Sequence, residues 1–225
     1  DWIARATRDD ALREAVVATG LLPMPAPVWA PYLGAARDGD GTAILMPDLS
    51  GALLRWDRPE AAAVDEEALE LLLTAAARLH AAGWARPEIV GPGAAFPWCP
   101  LPERLLLLAP PAAERYRAEG LPVGERFLAG GAAFRRLAPP SATELVDGLA
   151  ADVTPLLAAL GRLPATGLHG DLKLANVGLT SDGRVALIDW GMLVHAPVAV
   201  ELGWFLVSNS GALPLTPARV LARYR

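Results

Sequence analysis

Cysteine occurs once in the 225 residues, at Cys99, so no internal disulfide can form and a reducing cytoplasmic setting is expected. Lysine is also scarce: none precedes Lys173. Histidine occurs only at 80, 169 and 195, in dissimilar contexts, which is too few for the ligand set of a dinuclear metal-dependent hydrolase. The longest apolar run, 105–113, is broken by two prolines. It falls short of the roughly 18–20 residues that a membrane span needs, so no membrane partner is expected. Positive charge is not in excess. A net charge of −5 lacks the basic patch that nucleic acid requires, and no nucleic-acid partner is expected. The opening residues DWIARATRDD carry no signal-peptide pattern. What the chain does have is 53% hydrophobic residues and a length that supports one large domain or two small ones.

Residues 169–191, HGDLKLANVGLTSDGRVALIDWG, concentrate the chemistry. Asp182-Gly183 is a two-residue hairpin signal, flanked by strand-like runs at 177–180 and 184–188. A turn centred on 182–183 places Asn176 opposite Asp189, with Cβ atoms roughly 4.5–5.5 Å apart. One amide oxygen and one carboxylate then share the open end of a hairpin. Oxygen-only ligands of this kind suit Mg²⁺, which takes one or two carboxylates plus substrate phosphates. Asp189 also lies between Ile188 and Trp190, where an unpartnered carboxylate is costly and a bound cation relieves that cost. Asp171, on the loop before the first strand, is left free to accept a proton.

His169-Gly170-Asp171, then Asn176, then Ile188-Asp189-Trp190-Gly191 resemble the catalytic and metal-binding loops of kinases. Gly170 and the Asp-Trp-Gly triplet look like the aminoglycoside phosphotransferase and choline kinase-like family of small-molecule kinases rather than protein kinases. The resemblance implies an α+β, two-lobe protein-kinase-like fold, with an incomplete N-terminal lobe and a mainly helical C-terminal lobe carrying the catalytic hairpin. Residues 1–51 would be the partial N-lobe and hinge on the nucleotide side, and 52–225 the helical lobe. It further implies an ATP-dependent, Mg²⁺-assisted phosphotransferase, with GTP an alternative nucleotide, acting on a hydroxyl of a small molecule. In that reading Asp171 is the base, Asn176 and Asp189 hold Mg²⁺, and the connector at Met46, Asp48 and Leu49 pairs with adenine. Phosphates would lie between the lobes, and the acceptor between the hairpin and the helices of 100–160. An aminoglycoside, amino alcohol, sugar or macrolide acceptor stays open, as does a monomer or a homodimer.

The family's phosphate-covering loop and its phosphate-gripping lysine have no counterpart here. The expectation is a piece of a longer protein; the alternative is a non-catalytic kinase-like binding module. Glu14 occupies the place of the glutamate that pairs with that lysine, although Arg13–Glu14 on an amphipathic helix also reads as a solvated face. Lys173 reads equally as a stabiliser of charge on the transferred phosphoryl group or as a solvated loop lysine. Asp48 reads as a hinge polar group or a turn former. His169 and His80 are assigned structural roles, and Pro197 beside His195 suggests a turn. In the family an Asp near position 201 braces the catalytic loop, and here the residue is Glu201. Tryptophans 84, 98, 190 and 204 are read as packing groups.

Helices are expected over 9–20 (capped by Asp9 or Asp10 and ended by Gly20), 65–82, 103–119, 124–137, 141–160, 198–208 and 217–224. The one at 141 opens with a Ser141-x-x-Glu144 capping box. An extended path over 28–33, a turn at 37–41, a buried strand at 42–46 and an irregular stretch over 83–102 complete the expectation.

Overall fold

The computed structural model describes residues 2–10, 12–39, 41–54, 64–84 and 96–225. It mixes helices with small sheets, as expected. Two compact units interleave along the chain: Asp1–Asp10 with Cys99–Pro164, and Ala11–Trp98 with Ala165–Arg225. The division at residue 51, drawn from expected roles, falls inside the second unit. Among the described residues no helix is long and apolar enough to cross a membrane.

The first unit is helical: Trp2–Ala6, Leu101–Leu106, Pro110–Ala118, Pro122–Leu137, Pro140–Ala151 and Thr154–Leu160. Proline sits in the first turn of five of these, where its fixed φ suits a helix start and its missing N–H goes unneeded. That explains why the single helices expected over 103–119 and 141–160 are each two helices. The Ser141 capping box is not formed; Pro139 is the cap and Ser141 lies inside the first turn. Trp2, Tyr116 and Phe127 meet edge to face and anchor a small apolar cluster.

The second unit holds the main core. Strands are β1 (Val28–Trp29), β2 (Gly34–Asp38), β3 (Gly41–Leu45), β4 (Thr166–Leu168), β5 (Val177–Leu179), β6 (Val185–Leu187) and β7 (Val194–Ala196). β1, β6 and β5 form one sheet in that order, β1 parallel and β5 antiparallel to β6. Among the described residues β2 pairs only with β3, and the faces of both are largely exposed, which corrects the buried strand expected at 42–46. β4 pairs with β7. The Glu66–Trp84 helix opens with the Asp65 carboxylate accepting the Ala68 N–H (2.8 Å). Its Leu69, Leu72, Leu73, Ala76 and Leu79 enter the core with Leu172, Leu174, Val185, Leu187 and Trp190. Helices Val198–Ser208 and Pro217–Tyr224 fall where the sequence places them.

The expected 9–20 helix is shorter, Arg13–Ala18, preceded by Leu12 in a left-handed conformation; neither Asp9 nor Asp10 caps it, and Gly20 follows its end with φ +78°. Of the irregular 83–102 stretch, 85–95 lie outside the described residues.

Candidate active site

The hairpin β5–β6 is present, but its register differs from expectation. Thr180 donates to the Arg184 carbonyl (3.0 Å) and Gly183 to the Thr180 carbonyl (3.0 Å), so the loop is 181–183, with Gly183 at φ +78°. This three-residue turn shifts every partner by one. Val177 faces Leu187, and the Ile188 N–H donates to the Asn176 carbonyl (3.1 Å). Asn176 therefore does not face Asp189 across the strands. Asp189 leaves β6 in a left-handed conformation (φ 63°, ψ 61°) and opens the 3₁₀ turn Trp190–Met192.

The side chains converge on Asp171 instead. Its carboxylate is 2% exposed. Oδ1 accepts the Trp204 indole N–H (2.8 Å), and Oδ2 accepts from Lys173 Nζ (2.6 Å) and Asn176 Nδ2 (3.1 Å). The same Asn176 nitrogen donates to the Asp171 carbonyl (2.9 Å), which leaves its amide oxygen to face other ligands.

The loop carrying Asp171 runs from β4 and is held at its backbone. Gly170 has φ +83°, and a Cβ there would lie 1.9 Å from the Met192 carbonyl oxygen, so no other residue fits. Glu201, 1% exposed, accepts the Gly170 N–H (2.6 Å), the His169 N–H (3.2 Å) and His80 Nε2–H (2.8 Å). It braces the loop at the position where the family has an Asp. Burial alone would raise its pKa. The His80 hydrogen bond and charge, the His169 charge and the Gly170 N–H outweigh burial and leave it lowered. His169 donates Nε2–H to the Ile188 carbonyl (3.0 Å) and accepts the Asp171 N–H at Nδ1 (3.3 Å), a structural part as expected. His80 is likewise structural, its other nitrogen on the Tyr224 hydroxyl (2.6 Å). Asn209 accepts the Leu174 N–H (2.8 Å) and donates to the Phe205 carbonyl (2.7 Å).

Glu14 reaches the turn that carries Asp189. Its Oε1 accepts both the Asp189 N–H (3.1 Å) and the Tyr32 hydroxyl (2.5 Å). Burial, then the Glu14 hydrogen bond, raises the Tyr32 pKa. The Asp189 carboxyl is also raised, first by burial and next by the charge of Asp171. Arg13 corrects the solvated-face reading of that helix. It is 1% exposed, and its guanidinium donates to the carbonyls of Pro97 (2.5 Å) and Gly191 (2.9 Å). A side chain long enough to cross the core gives no periodicity signal, so pattern reading misses it.

The remaining predicted residues have local contacts. Met46 is 37% exposed and Leu49 is buried. The Asp48 carboxylate accepts the Ser50 N–H (2.9 Å), a turn contact; the Ser50 side chain first and this N–H second lower its pKa. His195 lies on β7 opposite Gly167, its ring 6.0 Å from that of Trp98; burial lowers its pKa. Trp190 packs on His169 and donates to the Leu187 carbonyl (2.8 Å).

Among the described residues no three His, Cys, Asp or Glu side chains gather as a metal cage. The donors that do fit a cation are the Asp189 carboxylate and the Asn176 amide oxygen. That set is oxygen-only and incomplete without phosphates, as Mg²⁺ sites in phosphoryl transfer are.

The residues singled out in 169–191 thus gather around Asp171, with Asn176 bonded to its carboxylate and the Asp189 charge close enough to interact with it. The sequence places the protein in a family: the model of the phosphotransferase enzyme family (APH) matches residues 2–225, and the chain belongs to that family, whose members are phosphotransferases of small molecules. The resemblance read from 169–191 is thereby borne out. Comparison with curated proteins and with solved structures gave no match.

Proposed function

We propose that the chain is an ATP-dependent phosphotransferase that moves the γ-phosphoryl group to a hydroxyl of a small molecule. The observation that carries this reading is the Asp171 carboxylate, buried yet held by three side-chain donors beside the raised carboxyl of Asp189. Asp171 orients the acceptor hydroxyl and takes its proton as the new P–O bond forms and the bond to the β-phosphate oxygen breaks, releasing ADP. Lys173 exchanges its partner from Asp171 to the transferring group, whose charge it offsets. Asn176 and Asp189 would hold Mg²⁺, which would supply positive charge against the phosphates. Glu14 fixes the backbone of Asp189. The connector at 46–49, with Met46, Asp48 and Leu49, serves the adenine. Residues 1–51 form the nucleotide side and 52–225 the catalytic side.

The test is calorimetry of Mg²⁺–ATP on the full-length protein and on Asp189→Ala. Metal-dependent binding that Asp189→Ala abolishes supports the reading. Binding indifferent to Mg²⁺, or no binding, refutes it.

A further inference from the structure

Helix Arg13–Ala18 takes hold of the turn that carries Asp189 from two neighbouring positions, all within the second unit. Arg13 donates to the Gly191 carbonyl at the far end of the turn (2.9 Å) and to the Pro97 carbonyl (2.5 Å). Glu14 takes the near end, where its Oε1 accepts the Asp189 N–H (3.1 Å). Between these two holds Asp189 adopts a left-handed conformation (φ 63°, ψ 61°), which a residue with a Cβ disfavours. Such a conformation persists only where the surroundings impose it, and the Glu14 bond falls on the strained residue itself.

Glu14 does not fix its own position. Its side chain is long, rotamer-rich and half-buried, so a settled place for Oε1 needs a second contact. Tyr32 supplies it. The Tyr32 hydroxyl donates to the same Oε1 (2.5 Å), and the residue packs against the main core, which makes the phenol a rigid arm. Both donors therefore fall on one oxygen, and among the described residues no hydrogen bond is made by Oε2. A neutral amide oxygen in the Oε1 place has the two lone pairs needed to accept both bonds.

We infer that Tyr32 and Glu14 are positioning residues for the Asp189 carboxylate: Tyr32 fixes Glu14 Oε1, and Oε1 fixes Asp189, by hydrogen bonding rather than by charge. The inference rests on the phosphotransferase reading for the cation that Asp189 would take, and on geometry alone for the chain of contacts. Because Arg13 holds the far end separately, loss of the near bond frees Asp189 without releasing the turn.

The test is calorimetry of ATP at graded Mg²⁺ on the full-length protein, beside the Asp189 amide resonance in ¹H–¹⁵N spectra of the metal-free protein. In Glu14→Ala the Mg²⁺ requirement should rise about tenfold or more, as when a group that orients a metal ligand is removed. Glu14→Gln should rescue most of that loss, to within about threefold of wild type. Tyr32→Phe should raise the requirement about threefold to tenfold alone, yet add nothing in the Glu14→Ala background, because it acts through Glu14. The Asp189 amide should move in Glu14→Ala and Tyr32→Phe and return toward its wild-type place in Glu14→Gln. Tyr32→Phe removes only a hydroxyl, so it decides the matter with Glu14→Gln if Glu14→Ala does not fold. An unchanged Mg²⁺ requirement in Glu14→Ala or Tyr32→Phe, Glu14→Gln as damaging as Glu14→Ala, or a Tyr32→Phe effect that persists without Glu14 overturns the inference. Absence of Mg²⁺-dependent ATP binding by the wild type refutes the phosphotransferase reading; the Asp189 amide then decides the inference, and an amide unmoved by Glu14→Ala overturns it.

Discussion

Replacing Glu201 should cost more stability than any other single change at the catalytic loop that leaves the backbone unstrained. In Glu201→Ala the N–H groups of His169 and Gly170 and the Nε2–H of His80 lose their acceptor at a position 1% exposed. A stranded buried donor costs about 1–3 kcal/mol, and a hydrogen bond to a charged group is worth about 1.5–3 kcal/mol. Because the three bonds share one carboxylate their losses overlap, so about 3–5 kcal/mol is expected in total. Glu201→Gln keeps one acceptor oxygen but turns the other into a donor facing donors, for about 2–3 kcal/mol. Urea unfolding at pH 7 measures both, as a lower midpoint with unchanged slope.

The pH dependence adds a sign. Glu201's folded pKa lies below the ordinary 4.5, so in acid the unfolded chain binds the extra proton. The stability it contributes is complete above 4.5 and is lost as pH falls through the lower folded value. The wild-type advantage over Glu201→Gln should shrink as pH drops below that point. A loss under about 1 kcal/mol for Glu201→Ala, or an advantage that grows toward acid, refutes the bracing argument.

Gly170→Ala forces a Cβ against the Met192 carbonyl at positive φ and should cost about 3–5 kcal/mol, read as a lower melting temperature; an unchanged melting temperature would mean the loop is not held as described. Trp204→Phe keeps the ring but removes the N–H on Asp171 Oδ1, so kcat should fall about tenfold or more while KM for nucleotide stays within about twofold. An unaltered kcat in an ADP-release assay would deny Trp204 any part in orienting the base. With the Asp189 pKa raised, the folded metal-free protein binds its proton more tightly than the unfolded chain, so its stability falls as pH rises from 3.8 through the raised value. Mg²⁺ competes with that proton, and its affinity should weaken as pH is lowered through the same window. Asp171→Asn, by removing the second cause, should move the window down, and calorimetry across pH 7 to 4 decides it.

The long helices were legible because their apolar positions recur at helical spacing over several turns, as at Leu69, Leu72, Leu73, Ala76 and Leu79. The residue types of the catalytic loop were equally plain. The geometry that unites them was not. A one-residue difference in turn length moved Asn176 from Asp189 to Ile188, and no local pattern separates a two-residue from a three-residue reading of Thr180-Ser181-Asp182-Gly183. β4 and β7 are three residues each, too short for an alternating signal, yet their pairing sets His169 and Asp171 beside the metal loop. Arg13 and Tyr32 act through contacts made far along the chain, and only packing reveals those.

One helix accounts for most of the order around Asp171. Along Val198–Ser208 and its Asn209 cap, Glu201 takes the backbone of 169 and 170, Trp204 takes the carboxylate of 171, and Asn209 takes the backbone of 174. These positions follow the helix period, so a single face of one rigid element addresses successive points of the loop. A carboxylate held in this way has little orientational freedom left to lose on binding a ligand, because the ordering is already done in folding. Lys173 is the exception: it belongs to the loop itself and its side chain is 35% exposed, against 3% for Asp171. Of the three donors on the carboxylate it is therefore the one freest to leave, while Trp204 and Asn176 keep Oδ1 and Oδ2 in place.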